Sequence, residues 1–172
     1  MKSKNLFEKI LFYLSAPRCI GCGERLDISD FVLCDKCLKS YFDTKTRNCS
    51  VCFKPTDECT CVNKYLSTHY IRKLFKVYRY SYDESLPSSR LIFALKRANR
   101  KDVIDFLSDE IVESIRRNLK NPEKCIFTNV PRRKKSIIEF GYDHAAELSK
   151  MIAKKLSAQY YQPLYSKVKL EQ

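Results

Sequence analysis

Apolar residues return at spacings of three and four along residues 101–119, where Ile104, Leu107, Ile111, Ile115 and Leu119 fall on one face of a helix that Asn121-Pro122 then ends. The same periodicity predicts further helices. Leu91, Ile92 and Leu95 share a face within 85–98, where Pro87 is tolerated in a first turn. Ala145, Leu148, Ile152 and Leu156 line a helix opened by Gly141-Tyr142-Asp143, with Asp143 as its N-cap. Leu6, Ile10 and Tyr13 make residues 1–17 a short amphipathic helix, and residues 35–42 read as another short one.

Two stretches are rich instead in aromatic and β-branched residues. Residues 75–82 and 125–130 read as strands, the second stopped by Pro131. Strand, helix, strand, helix predicts an α/β layer with a largely parallel sheet. Ligands in such sheets bind beyond the carboxyl ends of the strands, which is where a loop at 131–142 would lie. That loop opens with the basic run Arg132, Arg133, Lys134 and Lys135.

The cysteines change the picture for the first third of the chain. Eight of the nine form four close pairs: Cys19/Cys22, Cys34/Cys37, Cys49/Cys52 and Cys59/Cys61. Two thiolates on one tight turn reach the same edge of a metal, and two such turns supply the four sulfurs of tetrahedral Zn²⁺, so the pattern predicts two Cys₄ sites. A disulfide framework needs an oxidising compartment, and no export signal is visible, which favours metal. Four thiolates leave no open coordination position, so the zincs are expected to be structural. Consecutive pairing gives the shortest loops, and an interleaved cross-brace stays open. The ninth, Cys125, lies in an apolar strand and reads as a small buried hydrophobe.

Length and charge refine this. The 172 residues suffice for a small metal-stabilised segment, 1–64, and a larger domain, 65–172, able to bury its own core. The net charge of +13 divides as +3 and +10 between those segments. Two zinc–thiolate units, each a net −2, would make the first segment slightly acidic and leave the positive field to the second. A basic field suits phosphorylated small molecules or nucleic acid. No apolar run approaches a membrane span, so a cytoplasmic protein is expected.

The cysteine pairs, the helix ending near Leu95-Lys96, the run Val130-Pro131-Arg132-Arg133-Lys134-Lys135 and the segment Phe140-Gly141-Tyr142-Asp143-His144-Ala145-Ala146-Glu147-Leu148 together resemble the ComF family. These are competence-associated proteins with a double zinc ribbon and a type I phosphoribosyltransferase fold. The resemblance implies a Rossmann-like parallel-sheet domain that binds PRPP with Mg²⁺. It assigns anion or substrate binding to Arg132, Arg133, Lys134, Lys135, Tyr142 and Asp143. The family's later acidic pair and threonine- and glycine-rich PRPP loop have no counterpart here, since the only glycines are Gly21, Gly23 and Gly141. The chain is therefore expected to be a C-terminally truncated member with an incomplete domain, inactive alone.

A different class of function also fits. A non-catalytic zinc-ribbon protein could hold single-stranded DNA through Lys96, Arg97, Arg100 and Lys101 together with the 132–135 run, by charge and stacking. The family's link to DNA uptake further implies a competence ATPase or helicase as a partner for the zinc segment.

Overall fold

The computed structural model describes residues 17–27 and 32–164. The helix expected at 1–17 lies outside these apart from Pro17. Among the described residues six α-helices follow one another: α1 (Asp35–Thr46), α2 (Lys64–Thr68), α3 (Pro87–Arg97), α4 (Lys101–Asn118), α5 (Lys134–Phe140) and α6 (His144–Lys155). Strands β1 (Ile126–Phe127) and β2 (Gln159–Tyr160) flank α5 and α6 and pair in parallel, Ile126 with Gln159 and Phe127 with Tyr160.

Helix α4 is the central element. Its inward face carries Val103, Ile104, Leu107, Val112 and Ile115, all buried, as the apolar spacing requires. One end of that face joins a core made of Leu91 and Leu95 from α3, Tyr41 and Cys37 from α1, and Cys19, Leu26, Val32 and Leu33 from the first cysteine segment. The other end packs on Ile152 of α6 and on Leu156, its C-cap. The first cysteine segment thus shares its apolar core with α3 and α4. Burying a leucine as completely as Leu91 stabilises by about 1.5–3 kcal/mol, so this shared core is a substantial tie between the two parts of the chain.

Polar contacts reinforce it. Tyr41 lies edge-on to Tyr78 and Phe106, at 5.1 and 5.5 Å between ring centres. Its hydroxyl donates to Glu110 Oε2 of α4 at 3.0 Å, and the Lys45 ammonium of α1 pairs with the same oxygen. Arg117 of α4 reaches Asp57 in the second cysteine segment at 3.5 Å.

The described residues are mostly helical, with one small parallel sheet of two strands, and the extended sheet expected from the sequence is not formed among them. Residues 75–82 are not a strand. Among the described residues they have no neighbouring strand to pair with, and their side chains pack on the cysteine segment instead, Tyr78 against Tyr41 and Lys76 against Cys59. The strand at 125–130 shortens to Ile126–Phe127, and Cys125 is only half-buried, its Sγ 3.9 Å from the Asn121 carbonyl oxygen. The basic run does not stay a loop: Lys134 begins α5, which ends at Gly141 with φ of 76°. Gly141 therefore closes α5 and does not open α6, a left-handed position that glycine adopts without strain. Asp143 caps α6 as expected, accepting from the amides of Ala145 and Ala146 at 3.1 and 3.2 Å. None of the described helices is long and apolar enough to cross a membrane.

Candidate metal centres and the basic segment

The four cysteine pairs converge consecutively. Cys19, Cys22, Cys34 and Cys37 form one tetrad and Cys49, Cys52, Cys59 and Cys61 the other, with all four sulfurs of each within 4.8 Å of one another. This removes the interleaved arrangement. A tetrahedron with metal–sulfur bonds of about 2.3 Å has sulfur–sulfur edges of about 3.8 Å. Cys22 and Cys34 stand at 3.7 Å and Cys52 and Cys59 at 3.6 Å, so both tetrads fit that figure. An all-sulfur donor set of this size is compatible with a structural zinc site.

The two turns that carry the leading pairs share one hydrogen-bond pattern. Cys19 N donates to Glu24 O and Gly23 N to Cys19 O, both at 2.8 Å. Cys49 N donates to Lys54 O at 2.8 Å and Phe53 N to Cys49 O at 2.9 Å. The residue after each second cysteine is left-handed, φ 81° at Gly23 and 59° at Phe53. Glycine takes that conformation freely, and phenylalanine takes it at a cost of about 1–2 kcal/mol. A third glycine has a different role. A Cβ on Gly21 would lie 2.6 Å from Cys37 Sγ and 3.1 Å from Pro87 Cβ, so only glycine lets the first turn close over its own tetrad and against α3.

The thiols of each tetrad are driven apart in acidity. Burial opposes ionisation of Cys19, but the amides of Cys34, Cys22 and Gly21 outweigh it and bring its pKa down to about 7. Burial and the neighbouring Cys19, Cys34 and Cys22 sulfurs push Cys37 far up. In the second tetrad, burial again opposes ionisation of Cys59, and the Lys76 ammonium, 3.1 Å from its Sγ, leads the groups that lower it to about 6. Cys61 is pushed up to about 12 by the Cys52 and Cys59 sulfurs. Four thiolates this close ionise together only around a cation, which ties metal binding to proton release.

The predicted basic site is partly assembled. Arg132 is half-buried and spends its guanidinium on carbonyls, Nη1 to Tyr142 O at 3.1 Å and Nη2 to Lys96 O at 3.2 Å, while stacking 4.7 Å from the Phe140 ring centre. Tyr142 is buried, with its hydroxyl donating to Leu95 O. Asp143 is occupied as the α6 cap and accepts also from Arg132 N at 3.4 Å. Arg132 and Tyr142 thus fasten the 131–143 segment to the end of α3. Arg133, Lys134 and Lys135 are exposed on the outside of that segment. Of the nucleic-acid candidates, Lys96, Arg97 and Lys101 are exposed, with Arg97 over the Phe93 ring at 5.3 Å, and Arg100 pairs with Asp102.

One residue of the metal centres and one tertiary contact escaped sequence reasoning. Lys76 follows Cys59 by seventeen positions in a lysine-rich chain, and nothing local marks it as a thiolate partner. Gly21 was visible as part of the turn, but its contact with Pro87 is tertiary. Fold and sites together define a small, mostly helical protein with two cysteine tetrads positioned to bind metal ions. Comparison with protein-family profiles, with curated proteins and with solved structures finds no match to this chain.

Proposed function

We propose that the chain is a cytoplasmic ComF-like protein in which a double zinc ribbon is joined to a phosphoribosyltransferase-type domain, and that it binds phosphorylated ligands through the segment that follows β1. One observation carries the reading. β1 and β2 are parallel, their connection contains α5 and α6, and the basic run leaves from the carboxyl end of β1. That end of a parallel strand is where ligands of open α/β sheets bind. Arg132 anchors the segment, and Arg133, Lys134 and Lys135 are free to meet an anion. Mg²⁺ would enter with PRPP, shielding its diphosphate. The residues at hand support ligand binding, and no catalytic residue is assigned.

Single-stranded DNA is the second ligand this surface suits. Arg133, Lys134 and Lys135 lie with Lys96 and Arg97 around the contact between Arg132 and α3, and none of these five has a carboxylate partner among the described residues. Attachment to a competence ATPase or helicase would fall to the zinc ribbons.

The zinc-loaded chain is titrated with Mg²⁺-PRPP and with a single-stranded oligonucleotide over a range of salt. The variant carrying Arg133→Gln, Lys134→Gln and Lys135→Gln should bind more weakly, and its dependence on salt should be shallower by about 2–3 in logarithmic slope for the oligonucleotide. Binding of neither ligand, or binding indifferent to the three substitutions, rejects the reading.

A further inference from the structure

A cavity of about 550 Å³ opens between α1 and residues 79–86. One wall is a face of α1 and its C-cap, where Ser40, Asp43 and Arg47 succeed one another at spacings of three and four. The other wall carries Arg79, Tyr80 and Tyr82 and is pinned to α1 by the Arg79 amide, which donates to Thr44 O at 3.2 Å. None of these residues belongs to the 131–143 segment, so a ligand in this cavity is independent of the function proposed for that segment.

The two guanidiniums distinguish this cavity. Arg100, Arg117 and Arg132 each spend theirs on a carboxylate or on carbonyls, whereas those of Arg47 and Arg79 have no partner among the described residues. The nearby Asp83 makes no ion pair with either, and its Oδ1 accepts instead from the Ser85 amide and hydroxyl at 2.9 and 2.6 Å. A pair of free guanidiniums is suited to the bidentate recognition of phosphate. Tyr82 is 92% exposed and stands edge-on to Tyr80 at 5.6 Å, so it offers an uncovered ring beside the cations on which a base can stack. Asp43 makes the lining unfavourable for a bare polyanion and favourable for a ligand that brings hydroxyl or amino donors with its phosphate. The volume is that of a small-molecule site, within about 300–1,000 Å³.

We propose that this cavity binds a nucleoside monophosphate unit, with Arg47 and Arg79 on the phosphate, Tyr82 on the base and Asp43 on the sugar hydroxyls or the base amino group. The unit can come as a free nucleotide or as one residue of a single strand.

The zinc-loaded full chain is titrated by calorimetry with AMP, adenosine, inorganic phosphate and a short oligodeoxyadenylate. AMP should bind more tightly than adenosine or phosphate. Arg47→Gln and Arg79→Gln should each weaken it by about tenfold or more, Tyr82→Ala by about fivefold or more, and Lys120→Gln, outside both proposed sites, should leave it unchanged. All four side chains are exposed, and an unaltered far-UV spectrum checks the fold of each variant. Tighter binding of the oligonucleotide with the same pattern of losses identifies a strand as the source, and tighter AMP identifies the free nucleotide. The proposal is overturned if neither binds, or if binding survives the loss of both Arg47 and Arg79.

Discussion

The Nζ of Lys76 lies 3.1 Å from the Sγ of Cys59, a buried sulfur of the second tetrad. No lysine or arginine makes such a contact with the first tetrad among the described residues, where the Cys34 amide donates to Cys19 Sγ at 3.3 Å. A metal held by four thiolates is a net −2 unit, and an ammonium in hydrogen-bond contact halves that charge. Lys76→Met should therefore lower zinc affinity at the second site by about 10–100-fold and spare the first. Chelator competition would read this as two steps where the parent protein releases its metals closer together. Lys76→Arg should restore much of the loss, and an unchanged release curve for Lys76→Met would remove the residue from the site.

Gly21 and Gly23 sit in the same turn and should respond differently to alanine. At Gly21 the new Cβ would meet Cys37 Sγ at 2.6 Å and Cys37 Cβ at 2.8 Å, so the turn must move off its own tetrad. Gly21→Ala should cost about 1–3 kcal/mol from overcrowding and release the first metal ahead of the second. Gly23 has φ of 81° with open space around it, so Gly23→Ala should cost only about 1 kcal/mol of backbone strain and keep both metals. Zinc content after dialysis against a mild chelator separates the two, and equal retention would remove the steric argument.

Features written in local spacing were legible in the sequence. The cysteine pairs announce two tetrads because two thiols on one turn must share a metal edge, and α4 shows itself through Ile104, Leu107, Ile111 and Ile115. Even there, Val103 and Val112 join the buried face while Ile111 is only half-buried, because partners approach α4 from two sides. Residues 75–82 misled because tyrosine and valine suit a pleated strand and an irregular packed segment equally, and only Tyr41 and Cys59 decide between them. The start of α5 was hidden by the charges of Arg132 to Lys135, although Ile137, Ile138 and Phe140 follow directly. β2 is two residues long and owes its existence to β1.

The contact of Lys45 and Glu110 joins α1 to α4 with side chains that are 8% and 13% exposed. Removing one partner strands the other charge in a poorly solvated place. Glu110→Leu should destabilise by about 3–5 kcal/mol, since it leaves the Lys45 ammonium without its carboxylate and Tyr41 without its acceptor. Adding Lys45→Met should recover a large part of that, because the buried pair itself contributes little net stability. Urea midpoints of the two single variants and the double variant close the cycle. Additive losses would mean that the two groups do not interact.

His144 supplies a pH dependence whose sign follows from its surroundings. Its Nδ1 is buried without a partner among the described residues, just after the Asp143 cap. Burial holds the imidazole below its ordinary pKa of 6.5, the cations of Arg132 and Lys96 act in the same sense, and Asp143 opposes them. Between the folded and unfolded values the unfolded chain binds the extra proton, so stability rises with pH across that window. The contribution is fully present above the ordinary value, shrinks as pH falls toward the folded one, and loses nothing further below it. Replacing the ring with the neutral side chain of His144→Gln removes this dependence. Urea midpoints compared between about pH 7.5 and about pH 5 should show the parent protein losing ground to the variant on acidification. Acid release of metal from the cysteine tetrads is common to both proteins and cancels in the difference. Curves that stay parallel would mean that His144 takes up its proton as readily in the folded chain as in the unfolded one.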